Sequence, residues 1–340
     1  MRAKGISYET GWVRGGTISR ENFDPAVVER ELRIIRDDLH CTAVRVLGGD
    51  PGRLELAASC AADLDLEVWF SPYPLELAPE EILALFADCA ERAEQLRRRG
   101  AEVVFVAGAE LSLMGPGFLP GGTLDERIRS LIGSPGGREL IADLGVRIND
   151  FLGTAAAVVR ERFGGRVTYA SVPVERVDWG PFDIVSVDLY RNREIAGWFA
   201  DGVRTLVGQG KPVAITEFGA ATYRGAGDVG ARALDAVEWD PATGAPLRLK
   251  GRYERDEAGQ AAYLRELLEV FDTEGVDSAF VFAFALHDFP HRPDGDPRDD
   301  LDLASFGIVS MLDGRPGETY PDLPWEPKAA FRALAESYRR

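Results

Sequence analysis

Two glutamates stand at the ends of apolar segments, and a pair of carboxyl groups is a chemically useful combination. Glu110 ends the segment 104–110, and Glu217 lies within the segment 213–219. One carboxylate can attack an electrophilic carbon, while a second carboxyl group that keeps its proton can donate it to the departing oxygen. Retaining hydrolysis of a glycosidic bond needs two such groups about 5 to 5.5 Å apart. A fold that brings both side chains together would therefore support this reaction.

The surroundings of the two glutamates predict different roles for them. Arg45 and Tyr190 would hold Glu217 ionised, because a nearby cation and a donated hydrogen bond favour the charged form of a carboxyl group. The apolar residue Leu111 follows Glu110 directly, and desolvation raises the pKa of a carboxyl group so that it keeps a proton. We therefore assign Glu217 as the nucleophile and Glu110 as the general acid/base. The predicted substrate-binding residues are Arg45, Tyr190, Tyr8, Glu9, Trp69, Tyr73, Asp188, Trp179, Tyr223 and His287. The aromatic members of this set, together with Trp12, could stack on sugar rings.

These side chains need a scaffold, and the sequence predicts one made of parallel strands. Short apolar segments are followed by loops containing glycine, proline or acidic residues and then, in most cases, by a helix. The predicted strands are 3–7, 41–47, 66–71, 102–107, 166–171, 182–189, 212–216 and 278–284. Eight such units in 340 residues favour an α/β fold, a single (β/α)8 TIM barrel that forms one catalytic domain over 1–340. An open nucleotide-binding sheet would need GxGxxG after its first strand, and residues 5–9 do not supply it.

The intervening helices have amphipathic spacing and recognisable ends. Asp24-Pro25 and Ala78-Pro79 are typical helix starts, and Gly100 after three arginines is a typical stop. The predicted helices are 25–39, 79–99, 137–163, 193–209, 257–275 and 327–338. Residues 172–181 have room for one turn at most. Because barrel enzymes carry their chemistry at the carboxyl ends of the strands, the long loops at 111–136, 218–256 and 285–325 would wall a pocket there.

The order of these residues along the barrel resembles the clan A (β/α)8 glycoside hydrolases. In that group the acid/base glutamate ends the fourth strand and the nucleophile ends the seventh, which are the places of Glu110 and Glu217. Its members tend to carry arginine at the second strand and tyrosine at the sixth, where this chain has Arg45 and Tyr190. The resemblance implies a retaining glycosidase that acts on a carbohydrate or glycoside without a cofactor. The segments KGISY and ITEFG are also similar to an actinobacterial group labelled abortive infection proteins, a label that implies no chemistry.

Two positions depart from the clan A pattern. Ala109 stands where the family has an asparagine whose amide contacts the sugar 2-hydroxyl, and the eighth strand has Phe282 and Phe284 where many relatives have tryptophan. These differences favour an atypical sugar or glycoside, and they leave transfer open beside hydrolysis. Phe280, Phe282 and Phe284 recur with period two, which predicts that all three belong to the barrel core.

Two other readings stay open. A sugar-binding or regulatory barrel without catalysis would explain Ala109. A metal-dependent barrel enzyme could use His287 and His291 with the aspartates of the same loop, although Pro290 prevents a helical HxxxH arrangement and the aspartate spacing is not that of an EF-hand. The glycosidase prediction assigns no metal.

Composition narrows the partners and the compartment. Fifty-six acidic against 39 basic residues give a formal charge of −17, which repels phosphate backbones and anionic bilayers and makes nucleic acid and membrane unlikely partners. No apolar segment is long enough for a membrane helix, and no signal-like segment follows Met1. The three cysteines lack metal-site or paired spacing, which is typical of reduced thiols. We expect a soluble, cytoplasmic protein.

Overall fold

A ring of eight parallel strands forms the centre of the molecule, as the sequence predicts. The computed structural model describes residues 1–131, 137–241 and 243–339. The barrel strands are β1 (Ala3–Glu9), β2 (Ala43–Gly48), β3 (Glu67–Pro72), β4 (Val103–Ala109), β5 (Arg166–Ala170), β6 (Val185–Asp188), β7 (Val213–Phe218) and β8 (Ser278–Val281). All eight lie where apolar segments predicted them, and the (β/α)8 fold class is confirmed.

Hydrogen bonding runs around the ring in the order β5-β4-β3-β2-β1-β8-β7-β6. The two outer strands of this order approach each other through a parallel bridge between Ser171 and Val187. The Asp188 amide donates to the carbonyl oxygen of Ser171 at 2.8 Å, next to that bridge. The barrel is therefore nearly closed, and the carboxyl ends of all eight strands meet at one mouth.

The helices surround the barrel and pack apolar faces against it. They are α1 (Pro25–Asp37), α2 (Pro51–Asp63), α3 (Pro79–Arg98), α4 (Leu111–Met114), α5 (Leu124–Leu131), α6 (Gly137–Arg160), α7 (Phe199–Val207), α8 (Ala226–Val229), α9 (Glu257–Glu274) and α10 (Ala329–Tyr338). The link between β5 and β6 contains only the 3-10 turn Pro173–Glu175, as predicted. Five of the six predicted helices correspond closely to α1, α3, α6, α9 and α10.

Three helical features differ from the prediction. Helix α2 is absent from it, although Asp50 caps α2 and Pro51 occupies its first turn. Helix α7 begins at Phe199 and not at residue 193. The 3-10 turn Ala196–Trp198 precedes it, and the Arg193 amide donates to the carbonyl oxygen of Asp228 at 2.9 Å. The predicted loop 111–136 contains α4 and α5, and its last five residues, 132–136, lie outside the described residues.

Apolar side chains fill both the barrel and the layer between strands and helices. Inside the barrel, the rings of Trp69 and Phe280 lie 4.6 Å apart and both side chains are fully buried. Around it, residues such as Leu32, Phe105 and Phe271 join strands to helices in one continuous core. This core fixes the strand ends, so that side chains just beyond them are held in place.

The loops at the carboxyl ends have structure of their own. Three small antiparallel hairpins occur there, pairing Val13–Arg14 with Thr17–Ile18, Val237–Trp239 with Pro246–Leu249, and Val309–Met311 with Trp325–Pro327. The loops after β7 and β8 share a second buried apolar cluster that includes Val237, Leu249 and Phe289. These loops are therefore packed against each other as a wall above the barrel mouth.

Two further sequence-based expectations concern membranes and thiols. Within the described part of the chain, none of the helices combines the length and the apolar character needed to cross a bilayer. Cys41, Cys60 and Cys89 are unpaired, and burial raises the pKa of the Cys41 and Cys89 thiols.

Candidate active site

The carboxylate of Glu217 is held at the barrel mouth by two donors from other strands. Arg45, on β2, donates from Nη1 to Glu217 Oε1 at 2.9 Å, and the Tyr190 hydroxyl, just beyond β6, donates to Oε2 at 3.1 Å. Arg45 also donates to the carbonyl oxygen of Thr216 at 3.0 Å, which ties it to the strand that carries the glutamate. The structure thus brings together the three residues that the sequence analysis grouped.

Backbone geometry beside Glu217 depends on a glycine. A side chain at Gly219 would overlap the carbonyl oxygen of Phe282, which follows β8. The Phe282 amide in turn donates to the carbonyl oxygen of Phe218 at 2.9 Å. The end of β7 therefore lies directly against the end of β8, and this close approach fixes the direction in which Glu217 points.

Opposing effects set the ionisation of Glu217. Burial raises the pKa of its carboxyl group above the usual value, while the charge of Arg45 and the hydrogen bonds from Tyr190 and Arg45 lower it. The side chain is only 7% exposed, and Arg45 has no exposed surface. A buried carboxylate with a cation and two hydrogen bonds is stabilised in its charged form, and that is the form a nucleophile requires.

Glu110 lies in a different environment at the end of β4. Its backbone is left-handed, with φ 47° and ψ 37°, where the chain turns from β4 into α4. Its amide donates to the carbonyl oxygen of Ala170 at 2.9 Å, and its own carbonyl oxygen accepts from Leu113 and Met114. The Glu110 carboxyl group, by contrast, accepts no hydrogen bond from any of the described residues.

The charge environment of Glu110 favours its protonated form. Burial raises its pKa well above the usual value, and the charges of Asp188, Glu217 and Glu175 raise it further, against a smaller opposing effect of Arg45. The charges of Glu110 and Glu217 also both raise the pKa of Tyr73 and of Tyr190. The two glutamates therefore share one electrostatic environment at the barrel mouth.

A third glutamate, outside the predicted site set, supports the turn after Glu110. Glu175 is fully buried and accepts from the Tyr169 hydroxyl at 2.8 Å and from the Ser112 amide at 3.1 Å. Tyr169 also accepts from the Leu111 amide at 2.8 Å. This network fixes helix α4 against β5. Its sequence signal was a carboxylate shortly after the fifth strand, which alone does not separate support from catalysis.

Asp188 lies beside Glu217, but its side chain has no exposed surface. Its Oδ1 atom is 3.9 Å from Arg45 Nη1, the same nitrogen that contacts Glu217. The Thr216 hydroxyl is near enough to lower the pKa of Asp188, although it falls outside hydrogen-bond geometry. Burial and the Glu217 charge raise that pKa well above its usual value. The prediction that Asp188 binds substrate is thus corrected, because a side chain with no exposed surface does not contact a ligand.

Aromatic side chains form a continuous arc along one side of the mouth. The Tyr73 and Trp12 rings are 4.7 Å apart, Trp12 and Phe282 are 6.4 Å apart, and Phe282 and Phe306 are 6.1 Å apart. Phe306 then meets Tyr190 at 5.7 Å. Trp12 and Phe282 are partly exposed, so they offer apolar faces to a ligand. The prediction that Phe282 belongs to the core is wrong, whereas Phe280 and Phe284 are buried.

Three predicted substrate-binding residues lie away from the mouth. Tyr8 points outward from β1, is 1% exposed, and donates to Glu31 on α1. Trp69 is fully buried inside the barrel, where its indole donates to Glu67 at 2.8 Å. Trp179 precedes β6, and its carbonyl oxygen accepts from Lys211 just before β7, which places it at the opposite end of the barrel. Strand alternation and chain direction explain all three corrections.

Of the remaining predicted residues, Glu9 and His287 lie on the rim, whereas Tyr223 lies away from it. Glu9 is 1% exposed and accepts from the Ser19 hydroxyl, while the His287 amide lies 3.4 Å from its Oε2 atom. Burial lowers the pKa of His287, so this imidazole is neutral. Tyr223 instead lines an outer cavity of about 250 Å³ beside Tyr263, and neither Glu110 nor Glu217 borders that cavity.

A metal-dependent enzyme would need His291 and the aspartates of its loop to be free to bind a metal ion, and these side chains contact other residues instead. His291 Nδ1 lies 2.9 Å from Asp300 Oδ1 and 3.0 Å from Arg255 Nη2, within an ion-pair network. Asp302 in the same network pairs with Arg255 and with buried Lys328, both at 2.8 Å. Within the part of the chain that the structure describes, no three histidine, cysteine, aspartate or glutamate side chains are grouped so as to hold a metal ion.

Comparison with known proteins places this geometry in a structural context. No protein-family model matches the chain. No curated protein matches it by sequence. Among solved structures, a GH113 β-1,4-mannanase is 16% identical with a TM-score of 0.62, covering 99% of this chain and 98% of that one. A GH113 β-mannanase from Alicyclobacillus acidocaldarius is 14% identical with a TM-score of 0.56, covering 99% and 97%. Bacteroides uniformis β-glucuronidase 2 is 14% identical with a TM-score of 0.60, covering 100% of this chain and 35% of that one.

This likeness establishes the fold of the chain. It is a (β/α)8 barrel, and the match extends over essentially the whole chain in both mannanases. At identities of 14 to 16% the comparison shows the fold alone, so the chemistry has to be argued from the side chains at the barrel mouth.

Proposed function

We propose that this protein is a retaining glycoside hydrolase that cleaves a β-linked glycoside through a covalent glycosyl-enzyme intermediate. Glu217 would attack the anomeric carbon, and Glu110 would protonate the departing oxygen and then activate water. The observation that carries the proposal is the difference between the surroundings of the two glutamates. Glu217 contacts a guanidinium and a phenol, whereas Glu110 lies close to carboxylates.

Paired carboxyl groups with separated pKa values are what acid–base and nucleophilic roles require. Arg45 and Tyr190 oppose the rise that burial causes in the pKa of Glu217, which leaves Glu217 the better nucleophile of the two. Among the residues that the structure describes, no such cation contacts Glu110, and the neighbouring negative charges make loss of its proton costly. The aromatic faces of Trp12 and Phe282 would accept the apolar face of a sugar ring.

The similar folds support the choice of a β-glycoside. Two of the solved proteins are described as β-mannanases and a third as a β-glucuronidase. Ala109, in the place of the family asparagine, is fully buried and paired in register with Ala170, so it offers no polar group to the sugar. An enzyme with this site would therefore lack one contact of its relatives, which is consistent with an atypical glycoside and with either hydrolysis or transfer to another acceptor.

The test is removal of the nucleophile followed by chemical rescue. We expect Glu217→Ala to fold normally and to lose turnover of aryl β-glycosides by at least about 10³-fold. Azide should restore part of the activity and yield a glycosyl azide, because the small anion can occupy the place of the missing carboxylate. Glu110→Ala should respond differently, losing most activity on poor leaving groups and little on dinitrophenyl glycosides.

A matched control is Glu266→Ala, which removes an exposed glutamate that pairs with Arg191 on the outer surface. Its activity should equal that of the unaltered protein. Unchanged turnover in Glu217→Ala would refute the proposal. Glycan binding by the unaltered protein without turnover across a panel of aryl β-mannosides, β-glucosides and β-glucuronides would instead favour the sugar-binding reading.

A further inference from the structure

The turn that carries Glu110 needs support from outside itself. Glu110 has a left-handed backbone, with φ 47° and ψ 37°, and a residue with a side chain keeps this conformation only where its surroundings hold it. Helix α4, which follows, is a single turn of four residues and is too short to be stable alone. The direction of the Glu110 carboxyl group therefore depends on what α4 contacts.

The two ends of α4 are held by different parts of the chain. Its first two residues donate their amides to Tyr169 and Glu175. Its third residue, Leu113, accepts at its carbonyl oxygen from Arg127 Nε at 2.6 Å. The Leu113 amide in turn donates to the carbonyl oxygen of Glu110 at 2.8 Å. Two successive hydrogen bonds therefore connect the Arg127 guanidinium to the backbone of Glu110.

Arg127 is itself fixed by the loop after β3. Its side chain has no exposed surface, and its Nη2 atom donates to Glu76 Oε1 at 2.8 Å. The Glu76 amide donates to the carbonyl oxygen of Met114, the last residue of α4, at 2.9 Å. Arg14, on the hairpin after β1, lies 3.3 Å from the same carboxylate oxygen of Glu76. Arg127, Glu76 and the end of α4 thus form a closed ring of contacts.

Helix α5 buries its arginine more deeply than its apolar residues. Among the eight described residues of α5, Arg127 alone is buried, whereas Leu124, Ile128 and Leu131 are partly exposed. An arginine is almost never fully buried unless it is paired. The contacts of the guanidinium, more than an apolar face, therefore dock α5 against α4 and the loop after β3.

The chemistry of the guanidinium suits this place. It presents several N–H donors in one plane and keeps its charge at any ordinary pH. One donor reaches a backbone carbonyl oxygen and another reaches a carboxylate, so the orientation of the plane is fixed. Hydrogen bonds from a charged donor are stronger than those between neutral groups, and burial removes the water that would compete for them. Loss of Arg127 would leave the end of α4 without this support.

We infer, on the basis of the proposed function, that Arg127 is a positioning residue for the general acid/base. It acts through α4, whose position directs the Glu110 carboxyl group to the place where it meets the departing oxygen. Glu217 has a separate support, because Arg45 and Tyr190 come from β2 and from the end of β6. Loss of Arg127 therefore impairs the step that needs a proton from Glu110 and spares the nucleophilic attack.

The test compares two aryl β-glycosides that differ in their need for an acid. Phenyl β-mannoside and phenyl β-glucoside have a poor leaving group that must be protonated, whereas the dinitrophenyl glycosides of the same sugars leave without a proton. The measured quantity is kcat/KM, which covers the steps up to the glycosyl-enzyme. In Arg127→Ala we expect kcat/KM to fall about 100-fold for the phenyl glycoside and at most about threefold for the dinitrophenyl glycoside.

Two other variants complete the test. Arg129→Ala is the matched control, because it removes an arginine of the same helix that is 71% exposed and pairs with Asp125, and it should leave both values of kcat/KM unchanged. Arg127→Lys decides the question where Arg127→Ala does not fold. A single ammonium group cannot keep both contacts in the geometry of a guanidinium, so we expect a loss of about tenfold on the phenyl glycoside and none on the dinitrophenyl glycoside.

A purely structural role of Arg127 would give another pattern. Thermal unfolding is measured for each variant, and a lower midpoint with an unchanged ratio of the two kcat/KM values would overturn the inference, as would full activity of a folded Arg127→Ala on the phenyl glycoside. Failure of the proposed function looks different, because the unaltered protein then cleaves neither glycoside. If Glu110→Ala shows the selective loss and both Arg127 variants do not, only the inference about Arg127 is wrong.

Discussion

Replacing Arg45 by methionine tests whether this arginine acts on the site through its charge or only through its packing. Arg45 is fully buried and lies 2.9 Å from Glu217 and 3.9 Å from Asp188. Opposite charges about 4 Å apart interact by about 4 kcal/mol at an effective dielectric constant near 20. A pKa unit corresponds to about 1.4 kcal/mol, so loss of the guanidinium should raise the pKa of Glu217 by about 3 units.

The direction of the pH effect follows from linkage. Without Arg45, the folded-state pKa of Glu217 lies further above its unfolded value. A carboxyl group of this kind stabilises the fold below its unfolded pKa, and that contribution is lost as the pH rises through the folded pKa. Arg45→Met should therefore be destabilised by about 3 to 5 kcal/mol at about pH 8 and by much less at about pH 4. The acid limb of kcat/KM should move upward by about 3 pH units.

Urea unfolding at both pH values and a pH profile with an aryl β-glycoside measure these effects. The control is Arg204→Met, which removes an arginine that is 62% exposed and pairs with Glu274, and which should cost at most about 1 kcal/mol at either pH. An equal loss of stability at both pH values, with an unmoved acid limb, would refute the reasoning. It would mean that Arg45 matters through its packing and not through its charge.

Three further substitutions examine other parts of the site. Tyr190→Phe should keep the fold and lower kcat/KM about 10- to 100-fold, because it removes the 3.1 Å hydrogen bond to Glu217; kinetics and thermal unfolding check this. Trp69→Ala should cost about 3 to 5 kcal/mol in unfolding free energy, whereas Trp12→Ala should mainly raise KM, a contrast that fails if Trp69 binds sugar. Glu175→Gln should destabilise the protein by about 1 to 3 kcal/mol and lower kcat, and an unchanged kcat would show that the turn after β4 does not depend on it.

The sequence allowed the strands to be located because each is an apolar segment bounded by polar or turn residues. It also allowed Glu110 and Glu217 to be paired, since their positions at the fourth and seventh strands place both at one mouth. The contact of Arg45 with Glu217 was predicted for the same reason, and the structure confirms it at 2.9 Å. These successes depend on periodicity and on strand order, both of which are properties of the chain.

Side-chain direction was harder to predict. Tyr8 and Glu9 are adjacent on β1, yet one points outward to α1 and the other inward, and nothing local says which. Trp69 lies one layer below the mouth, a depth that depends on how the strands are staggered around the barrel. Helix α2 was missed because alanines supply much of its buried face, so its apolar periodicity is weak. These features depend on tertiary packing.

The carboxyl group of Asp188 shows how one arginine gives the site its asymmetry. Three carboxyl groups lie near one guanidinium, and Arg45 contacts Glu217 at 2.9 Å but Asp188 only at 3.9 Å. Burying a carboxylate is costly because the charged group is far better solvated in water, so a buried carboxyl group without a close cation keeps its proton. Burial and the charge of Glu217 raise the pKa of Asp188 well above its usual value, and burial with the charges of Asp188 and Glu217 does the same for Glu110. Of the three groups, Glu217 is therefore the one whose charge is best stabilised, since it accepts hydrogen bonds from both Arg45 and Tyr190.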